Sequence, residues 1–552
     1  MSNSLFRKKT IESILKDSQQ TGGDAHTHGL KRVLSVRDLT FFGIAAIIGA
    51  GSFSALGPAI YTGGPGVVML FVICGIACAF TAMCYSDFAS RIPVAGSAYT
   101  YAYASLGEVV AWIIGWALVL EYAIGNVYVA FSWSDYLTSF LSKVGIHIPA
   151  YLTCSYRAAS GSDMPELMAV WKSAPQVAGL RIIFDLPALV IDALVTGLVY
   201  IGIRESRNFS NIMVVMKLSI IALVLLIAGG AIFSQGLTHN WTPPNAQGVH
   251  TFFPNQFSGV MMAVSGVFFA YIGFDAVSIL AEESKNPQRD LPRGMILSLV
   301  ICTLIYIMLA LALTGVVSYE KFQNVNDPLA FIFEKENLNI GWMQLLVAFC
   351  AVVAMTSVML VMQMGQPRIW MSMGRDGLMP PAFQKIHPKY KTPSFSTVLT
   401  GVFVALMIIF TDSKFVLDFT STGTLFAFVI VCGGVLFLPR REKKPGQFHM
   451  PYVDARFVYP LLVIGSFAAF VLLSGHDSFT HVPTLLFWLI CGVQAVLAFL
   501  KRLSLIPLLG LSTCLYLLTG IDDENWKWFF VWFGIGLVVY AAYGYRKSRI
   551  KG

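Results

Sequence analysis

Runs of apolar residues, each about 18 residues or longer, constrain this chain more than any other feature. Fourteen of them begin near residues 39, 66, 108, 186, 208, 257, 294, 341, 395, 415, 457, 482, 503 and 525. A helix of about 20 apolar residues crosses the hydrocarbon core of a bilayer. Only 12% of the residues are charged, against about 25% in soluble domains. The sequence therefore predicts an all-α polytopic membrane protein with about 14 spans.

The basic residues predict the orientation. Most of the 38 Lys and Arg residues lie in the N-terminal segment, the C-terminal segment and the alternate loops on the same side. Loops rich in Lys and Arg stay in the cytoplasm, so we expect both termini to be cytoplasmic. This bias accounts for the net charge of +8, and no nucleic-acid partner is expected.

The first apolar run is interrupted by the sequence IGAGSF at 48–53. A glycine in mid-helix costs about 1 kcal/mol, and Gly49 and Gly51 are only two positions apart. Two interpretations are open at this point. Small residues allow close helix packing, whereas an unwound backbone at membrane depth is tolerated where it lines a cavity.

A second interrupted run favours the cavity. Residues 265–278 contain Gly273 in mid-span, and Asp275 follows it two positions later. An ionisable residue at membrane depth is a functional candidate. Interrupted spans in corresponding positions of two repeats indicate the substrate site of a secondary transporter.

Three ionisable residues lie within predicted spans and are candidates for coupling: Lys217, Glu121 and Asp275. Lys217 is about ten residues into the fifth span, near 15 Å from its end, which is too deep for its side chain to reach water. The structural alternative is that each group only satisfies neighbouring backbone. Thr356 and Ser357 in the eighth span could cap a carbonyl or line an ion site, but hydroxyls in membrane helices usually bond back to their own helix, and we expect that arrangement here.

Several kinds of chemistry have no signature in the sequence. The chain has nine cysteines and nine histidines, but no CxxC pair, no His/Cys cluster within a span and no nucleotide-binding GxxxxGK[ST] motif. We therefore expect no metal, no cofactor and no enzymatic activity. A membrane-bound transferase is the alternative that these absences disfavour.

Six motifs in this order resemble the amino acid–polyamine–organocation superfamily, within it the cationic amino acid transporter branch and its bacterial proton-coupled relatives. They are IGAGSF (48–53), RIPVAGSAYTYAY (91–103), LEYAIGN (120–126), FFAYIGFDAVS (268–278), EESKNPQRDLPRG (282–294) and GQPRIWMSMGRDGLMP (365–380). Residues 526–548 resemble the closing helix of that branch.

The resemblance implies a five-plus-five inverted repeat with discontinuous helices 1 and 6, followed by four additional C-terminal helices. The implied parts are a cytoplasmic segment (1–37), a transporter core (38–440) with an external loop (142–185), and the additional spans (441–548). It also implies a secondary active transporter of L-amino acids in the bacterial inner membrane, working by proton symport and alternating access. An amino acid/polyamine exchanger and a non-transporting amino acid sensor are the alternatives on the same scaffold.

The resemblance also implies a substrate site and a proton site. The substrate would contact seven residues: Ile47, Ala50, Gly51, Phe269, Ala270, Ile272 and Met355. Its α-carboxylate would meet the N–H groups of Ala50 and Gly51, and Phe269 would cover it as an aromatic gate. The Lys217 ammonium would take the place that a sodium ion fills in sodium-coupled relatives. Ser52 departs from the Ile or Val usual in the family, and the apolar wall around Met355 favours neutral side chains.

Overall fold

The computed structural model describes residues 7–9, 34–92, 97–160, 164–177, 179–202, 207–245, 247–281, 284–439, 447–474 and 482–548. The helices of the first half are α1 (Val36–Ile47), α2 (Leu56–Gly63), α3 (Val67–Arg91), α4 (Ser97–Ser105), α5 (Glu108–Val119), α6 (Gly125–Lys143), α7 (Tyr156–Ser160), α8 (Pro165–Ser173), α9 (Leu186–Ile201) and α10 (Arg207–Ser234). Two short strands, β1 (Gln176–Val177) and β2 (Leu180–Arg181), form an antiparallel pair in the predicted external loop.

The second half of the chain also consists of helices. They are α11 (Gln256–Met262), α12 (Val264–Phe269), α13 (Pro287–Val316), α14 (Pro328–Phe331), α15 (Gly341–Arg375), α16 (Ser394–Phe410) and α17 (Ser413–Leu436). The C-terminal helices are α18 (Val458–Ser474), α19 (Val482–Lys501), α20 (Leu505–Leu518), α21 (Asp523–Val539) and α22 (Tyr545–Lys547).

Every predicted apolar run is helical. Among the described residues, eight helices are long and apolar enough to cross a membrane, or nine if α11 and the segment after it, bent by 45°, count as one span. Four further apolar helices are shorter: Leu186–Ile201, Ser394–Phe410, Val458–Val471 and Leu505–Leu518. The number is below 14 because these four are short and the first two predicted runs share one helical stretch, Gly51–Arg91. The all-α polytopic class is confirmed.

The packing places the two interrupted spans at the centre of the bundle. Helix α13 packs against α3 and α1, and α15 packs against α6, α10 and α1. Helices α18 and α19 pack on each other and reach the bundle through α20, and much of their apolar surface is exposed, as at Leu461 (72%) and Leu500 (69%). This outer pair therefore presents its apolar side chains to lipid.

Candidate substrate and coupling site

The first break begins where α1 ends. Ile48 leaves the helical conformation with φ −77° and ψ 100°, and a π-helical turn, Gly51–Ala55, then leads into α2. The Ser52 N–H and hydroxyl both donate to the Gly49 carbonyl, at 3.0 and 2.9 Å. Ala50 and Gly51 stand at the start of the restarted helix. The helix itself therefore has no carbonyl that could accept a hydrogen bond from their N–H groups. N–H groups at the start of a helix can bind an anion, and binding of the substrate carboxylate at these two residues stays a prediction.

The second break lies between α12 and a 3₁₀ segment, Phe274–Leu280. Gly273 joins the two with φ +111°, a conformation that side chains with a Cβ rarely adopt. A Cβ at this position would lie 3.0 Å from the Ala46 carbonyl oxygen. The glycine is needed both for the turn and for the close approach of the two interrupted spans.

The two breaks touch each other. A Cβ on Gly51 would lie 2.3 Å from Ala270 Cα and 2.9 Å from Ala270 Cβ. The Tyr306 hydroxyl of α13 lies 3.0 Å from the Ile47 carbonyl oxygen and 2.8 Å from the Ala270 carbonyl oxygen. It therefore links the two breaks through two of the carbonyls predicted to meet the substrate. Sequence analysis missed Tyr306, because one tyrosine in an apolar run carries no signal of what it faces.

Tyr306→Phe should lower substrate uptake by roughly five- to tenfold. The ring stays in place, but the two buried carbonyls lose the hydroxyl that bonds to them when no substrate is bound, so the return of the empty transporter to this state is disfavoured by on the order of 1 kcal/mol or more. Initial uptake rates in proteoliposomes measure the effect. Tyr459→Phe is the matched control, since it removes a buried hydroxyl that bonds to Gln494 in the outer helix pair. Equal losses in both variants would show that Tyr306 has no special role in the site.

Lys217 lies on α10 and is fully buried (0% exposed). Its ammonium donates to the carbonyl oxygens of Ala45 and Ile48, both at 3.0 Å, and lies 3.1 Å from Ser357 Oγ. The first two partners belong to the end of α1, where the first break begins, and the third belongs to α15. A single side chain thus connects α10 with the broken first span and with α15.

The expectation for the two hydroxyls of α15 is half right. Thr356 does bond back to its own helix, at 2.8 Å from the Val352 carbonyl oxygen, and also accepts from the Trp133 indole. For Ser357 the expectation is wrong, because its hydroxyl faces the Lys217 ammonium. Neighbouring positions on a helix point in different directions, and only the position of α10 decides which of the two meets the lysine.

Glu121 and Asp275 are both buried and lie near each other, but neither Glu121 carboxyl oxygen has a hydrogen-bond partner among the described residues. Glu121 lies in a π-helical turn, Leu120–Ile124, between α5 and α6, and is 1% exposed, while Asp275 is fully buried. The Tyr122 hydroxyl lies 3.5 Å from Asp275 Oδ2. Two carboxyl groups that lie near each other away from water repel each other when both are ionised.

The acid pair is close in space to the surroundings of Lys217. A small cavity beside Glu121 is lined by Ala46 and Val358, which are the chain neighbours of Ala45 and Ser357. The three coupling residues that the sequence singled out therefore cluster around the same part of the first span. Their roles in coupling stay predictions.

The predicted substrate contacts are buried together with the breaks. Phe269 is 4% exposed, and its ring packs edge-on against Tyr128 with 4.7 Å between ring centroids. The rest of the predicted set is buried as well: Ile47, Ala50, Gly51, Ala270, Ile272 and Met355. Met355 lies on α15 within the main core, and its contact with a substrate stays a prediction.

The outer half of the first span is covered by the loop that precedes α14. A Cβ on Gly57 would lie 2.3 Å from the Val325 carbonyl oxygen. In the same loop, burial raises the pKa of Asp327 to about 6, although Ser139 donates a hydrogen bond to it at 2.8 Å. This loop is therefore packed directly against α2.

Comparison with known proteins identifies the family of the chain. The sequence model of a family described as amino acid permease matches residues 34–496. The chain belongs to the amino acid permease family. The resemblance to the amino acid–polyamine–organocation superfamily is confirmed, and this permease is an integral membrane transporter rather than an enzyme.

Relatives of this permease include three transporters that are named for different substrates. A branched-chain amino acid permease of Bacillus subtilis is 40% identical over 551 residues, covering 100% of both chains. A methylthioribose transporter of the same organism is 34% identical over 99% of both chains. A vacuolar cationic amino acid transporter of Arabidopsis thaliana is 31% identical, over 99% of this chain and 93% of its own.

The C-terminal helices of the permease fall into two groups, each matched by a different family model. A second model, described as the C-terminus of the amino acid permease, matches residues 503–548, which hold α20 to α22. The outer pair α18 and α19 falls almost wholly within the first match. The predicted resemblance of the closing helix to the family is thereby confirmed.

Proposed function

We propose that this permease is a proton-coupled symporter of L-amino acids that works by alternating access around the two breaks. The observation that carries the proposal is the position of the Lys217 ammonium, which bonds to two carbonyls at the end of α1, where the first break begins, and lies against Ser357. The proposed setting is a bacterial inner membrane with both termini in the cytoplasm.

A change in the charge of Lys217 would act directly on the first span. Hydrogen bonds from a charged donor are roughly twice as strong as neutral ones. Loss of the proton therefore weakens the attachment of the Ala45 and Ile48 carbonyls to α10. The neutral amine keeps a partner, since the Ser357 hydroxyl is able to donate as well as accept. Release of the proton would thus loosen the span without leaving an unpaired lysine.

Substrate binding requires the two breaks to separate. In the described state Gly51 and Ala270 are in contact, and Tyr306 occupies the Ile47 and Ala270 carbonyls. An amino acid entering between them would offer its carboxylate to the first-turn N–H groups and its ammonium to these carbonyls. The Tyr306 contacts would then be exchanged for substrate contacts.

The side-chain environment supports a neutral substrate of small or medium size. Phe269, Tyr128 and Met355 supply aromatic and apolar surface, and a methionine adapts to side chains of different shapes. The relative named as a branched-chain amino acid permease supports the same class. The relatives named for cationic amino acids and for methylthioribose identify the competing substrates to be tested.

The test is uptake by the purified protein in liposomes, with and without an inward proton gradient. The labelled panel contains leucine, valine, alanine, arginine and methylthioribose. We expect neutral amino acids to accumulate only with the gradient. Uptake that depends instead on an amino acid inside the liposomes would show an exchanger, and binding without any uptake would show a sensor.

Amino acid derivatives that lack a free α-carboxylate or α-ammonium should compete poorly. Leucine amide, leucine methyl ester and N-acetyl-leucine each remove a charge that the helix end or the carbonyls would meet. An unpaired buried polar group costs about 1–3 kcal/mol, which corresponds to a loss of about five- to more than a hundredfold. Inhibition of labelled leucine uptake measures the loss, and norvaline, with both groups free, is the control.

The decarboxylated analogue of leucine gives the sharpest contrast. If this amine competes as well as leucine, the carboxylate is not recognised at the first break, and an amine carrier on the same scaffold becomes the better proposal.

A further inference from the structure

A buried bridge of two side-chain hydrogen bonds joins three spans close to Glu121. The Asn126 amide donates to Gln363 Oε1 at 2.8 Å, and the Gln363 amide donates to Thr196 Oγ1 at 2.8 Å. The three residues belong to α6, α15 and α9, respectively. Asn126 and Gln363 are fully buried, and none of the three is among the predicted substrate contacts.

A buried amide in a membrane helix needs partners, because lipid offers none and an unpaired polar group is costly to bury. A glutamine side chain both donates and accepts, so Gln363 is able to link a donor on one span to an acceptor on another. Buried polar networks of this kind hold the groups around them in one arrangement. The bridge therefore fixes α6 and α9 relative to α15 at one level of the bundle.

That level is the end of the π-helical turn, Leu120–Ile124. The Gly125 N–H donates to the Leu120 carbonyl, five residues earlier, and Asn126 follows directly. A π-helical turn contains one residue more than an α-helical turn, and such turns are frequent at functional sites. If the turn relaxed to α-helix, the residues on its two sides would rotate by about 100° relative to each other. A bond at Asn126 resists that rotation.

Helix α15 holds the same turn at a second point. A Cβ on Gly365 would lie 2.6 Å from two ring carbons of Tyr122, so the tyrosine ring rests on the backbone of α15. The Tyr122 hydroxyl lies 3.5 Å from Asp275 Oδ2. The turn is thus held at its middle by a ring and at its end by the amide of Gln363.

The π-helical turn carries Glu121, which lines the small cavity next to α1 and α15. Among the described residues, the titratable groups near Glu121 are Asp275, Tyr122 and Tyr85 of α3. A rotation of about 100° would turn the carboxyl group away from this cavity and these neighbours. The direction of the Glu121 side chain therefore depends on the state of the turn.

We propose that Gln363 is a positioning residue for proton coupling: its bridge from Asn126 to Thr196 keeps the π-helical turn in register and so keeps Glu121 directed at the cavity beside Asp275. The inference rests on the proposed function, because Glu121 matters for transport only if protons drive it. Gln363 itself contacts neither the substrate nor the proton in this scheme.

The test is the pH profile of leucine uptake by proteoliposomes, together with equilibrium binding of leucine. Gln363→Met keeps the length of the side chain but removes both amide bonds. We expect gradient-driven uptake to fall at least roughly fivefold and the midpoint of the pH profile to move by at least about half a unit. The affinity for leucine should stay unchanged, since the substrate contacts are intact.

Two comparisons separate this role from a loss of stability. Thr196→Val removes the acceptor and should move the pH midpoint as Gln363→Met does, whereas Thr196→Ser keeps the hydroxyl and should behave as the wild type. Gln344→Met is the matched control on α15. Gln344 is also buried, but its amide donates to Glu334 Oε1 at 2.9 Å, far along the helix from the turn, so its pH profile should stay unchanged.

Failure of the inference and failure of the proposed function give different results. Uptake by the wild type that does not respond to a proton gradient contradicts the proposed function and this inference with it. If the wild type does respond, an unmoved pH midpoint in both Gln363→Met and Thr196→Val overturns the positioning role alone. An equal shift in Gln344→Met also overturns it, since the effect would then follow from any lost amide on α15.

Discussion

Lys217→Ala should abolish proton-driven accumulation of amino acids while the protein remains folded and inserted. The methyl group can neither carry a proton nor bond to the carbonyls of Ala45 and Ile48, which lie 3.0 Å from the ammonium. Uptake into liposomes with an inward proton gradient measures the result, and we expect it to fall to the level of empty liposomes.

Two further variants separate coupling from structure. Ser357→Ala removes a hydroxyl that lies 3.1 Å from the ammonium but leaves the charge and the two carbonyl contacts, so a milder loss is expected. Lys217→Met keeps most of the volume without the charge and should behave as Lys217→Ala does. Full gradient-driven accumulation by Lys217→Ala would contradict the proposal that Lys217 couples transport to protons.

Gly51→Val should reduce uptake to background as well, for a different reason. Even the first side-chain carbon would lie 2.3 Å from Ala270 Cα, so the two breaks could not approach as they do in the described state. A β-branched side chain also resists the backbone that the break requires and would obstruct the N–H groups offered to a carboxylate. Equilibrium binding of labelled leucine and initial uptake rates are the measurements.

Ser52→Ala is the matched control for this change. It alters the neighbouring buried residue and removes the hydroxyl bond to the Gly49 carbonyl, but it adds no volume at the contact with Ala270. We expect a smaller loss of binding than for Gly51→Val. Unchanged affinity in Gly51→Val would mean that the substrate binds somewhere else.

Much of the architecture could be predicted because a bilayer leaves few choices. Each apolar run must pair its backbone groups within itself, so the runs indicated the helices, and every one of them is helical. The breaks were visible for the same reason, since a glycine pair or a glycine followed by Asp275 contradicts an uninterrupted span. Lys217 was visible because an amine at that depth cannot reach water.

Contacts between spans could not be predicted in this way. The role of Tyr306 depends on two carbonyls from segments more than 200 residues apart, and nothing in the run around it differs from an ordinary apolar helix. The choice of Ser357 over Thr356 as the partner of Lys217 depends on the rotation of α15 against α10. The proximity of Glu121 and Asp275 likewise requires two spans to meet.

The sequence by itself determined the helices, the two interruptions and the ionisable residues within the spans, because these follow from the cost of unpaired polar groups in lipid. The tertiary structure decided which groups satisfy one another: Tyr306 at the two breaks and Ser357 at the lysine. Hydrogen bonds require a distance and a direction between particular atoms, and only the packed bundle supplies both.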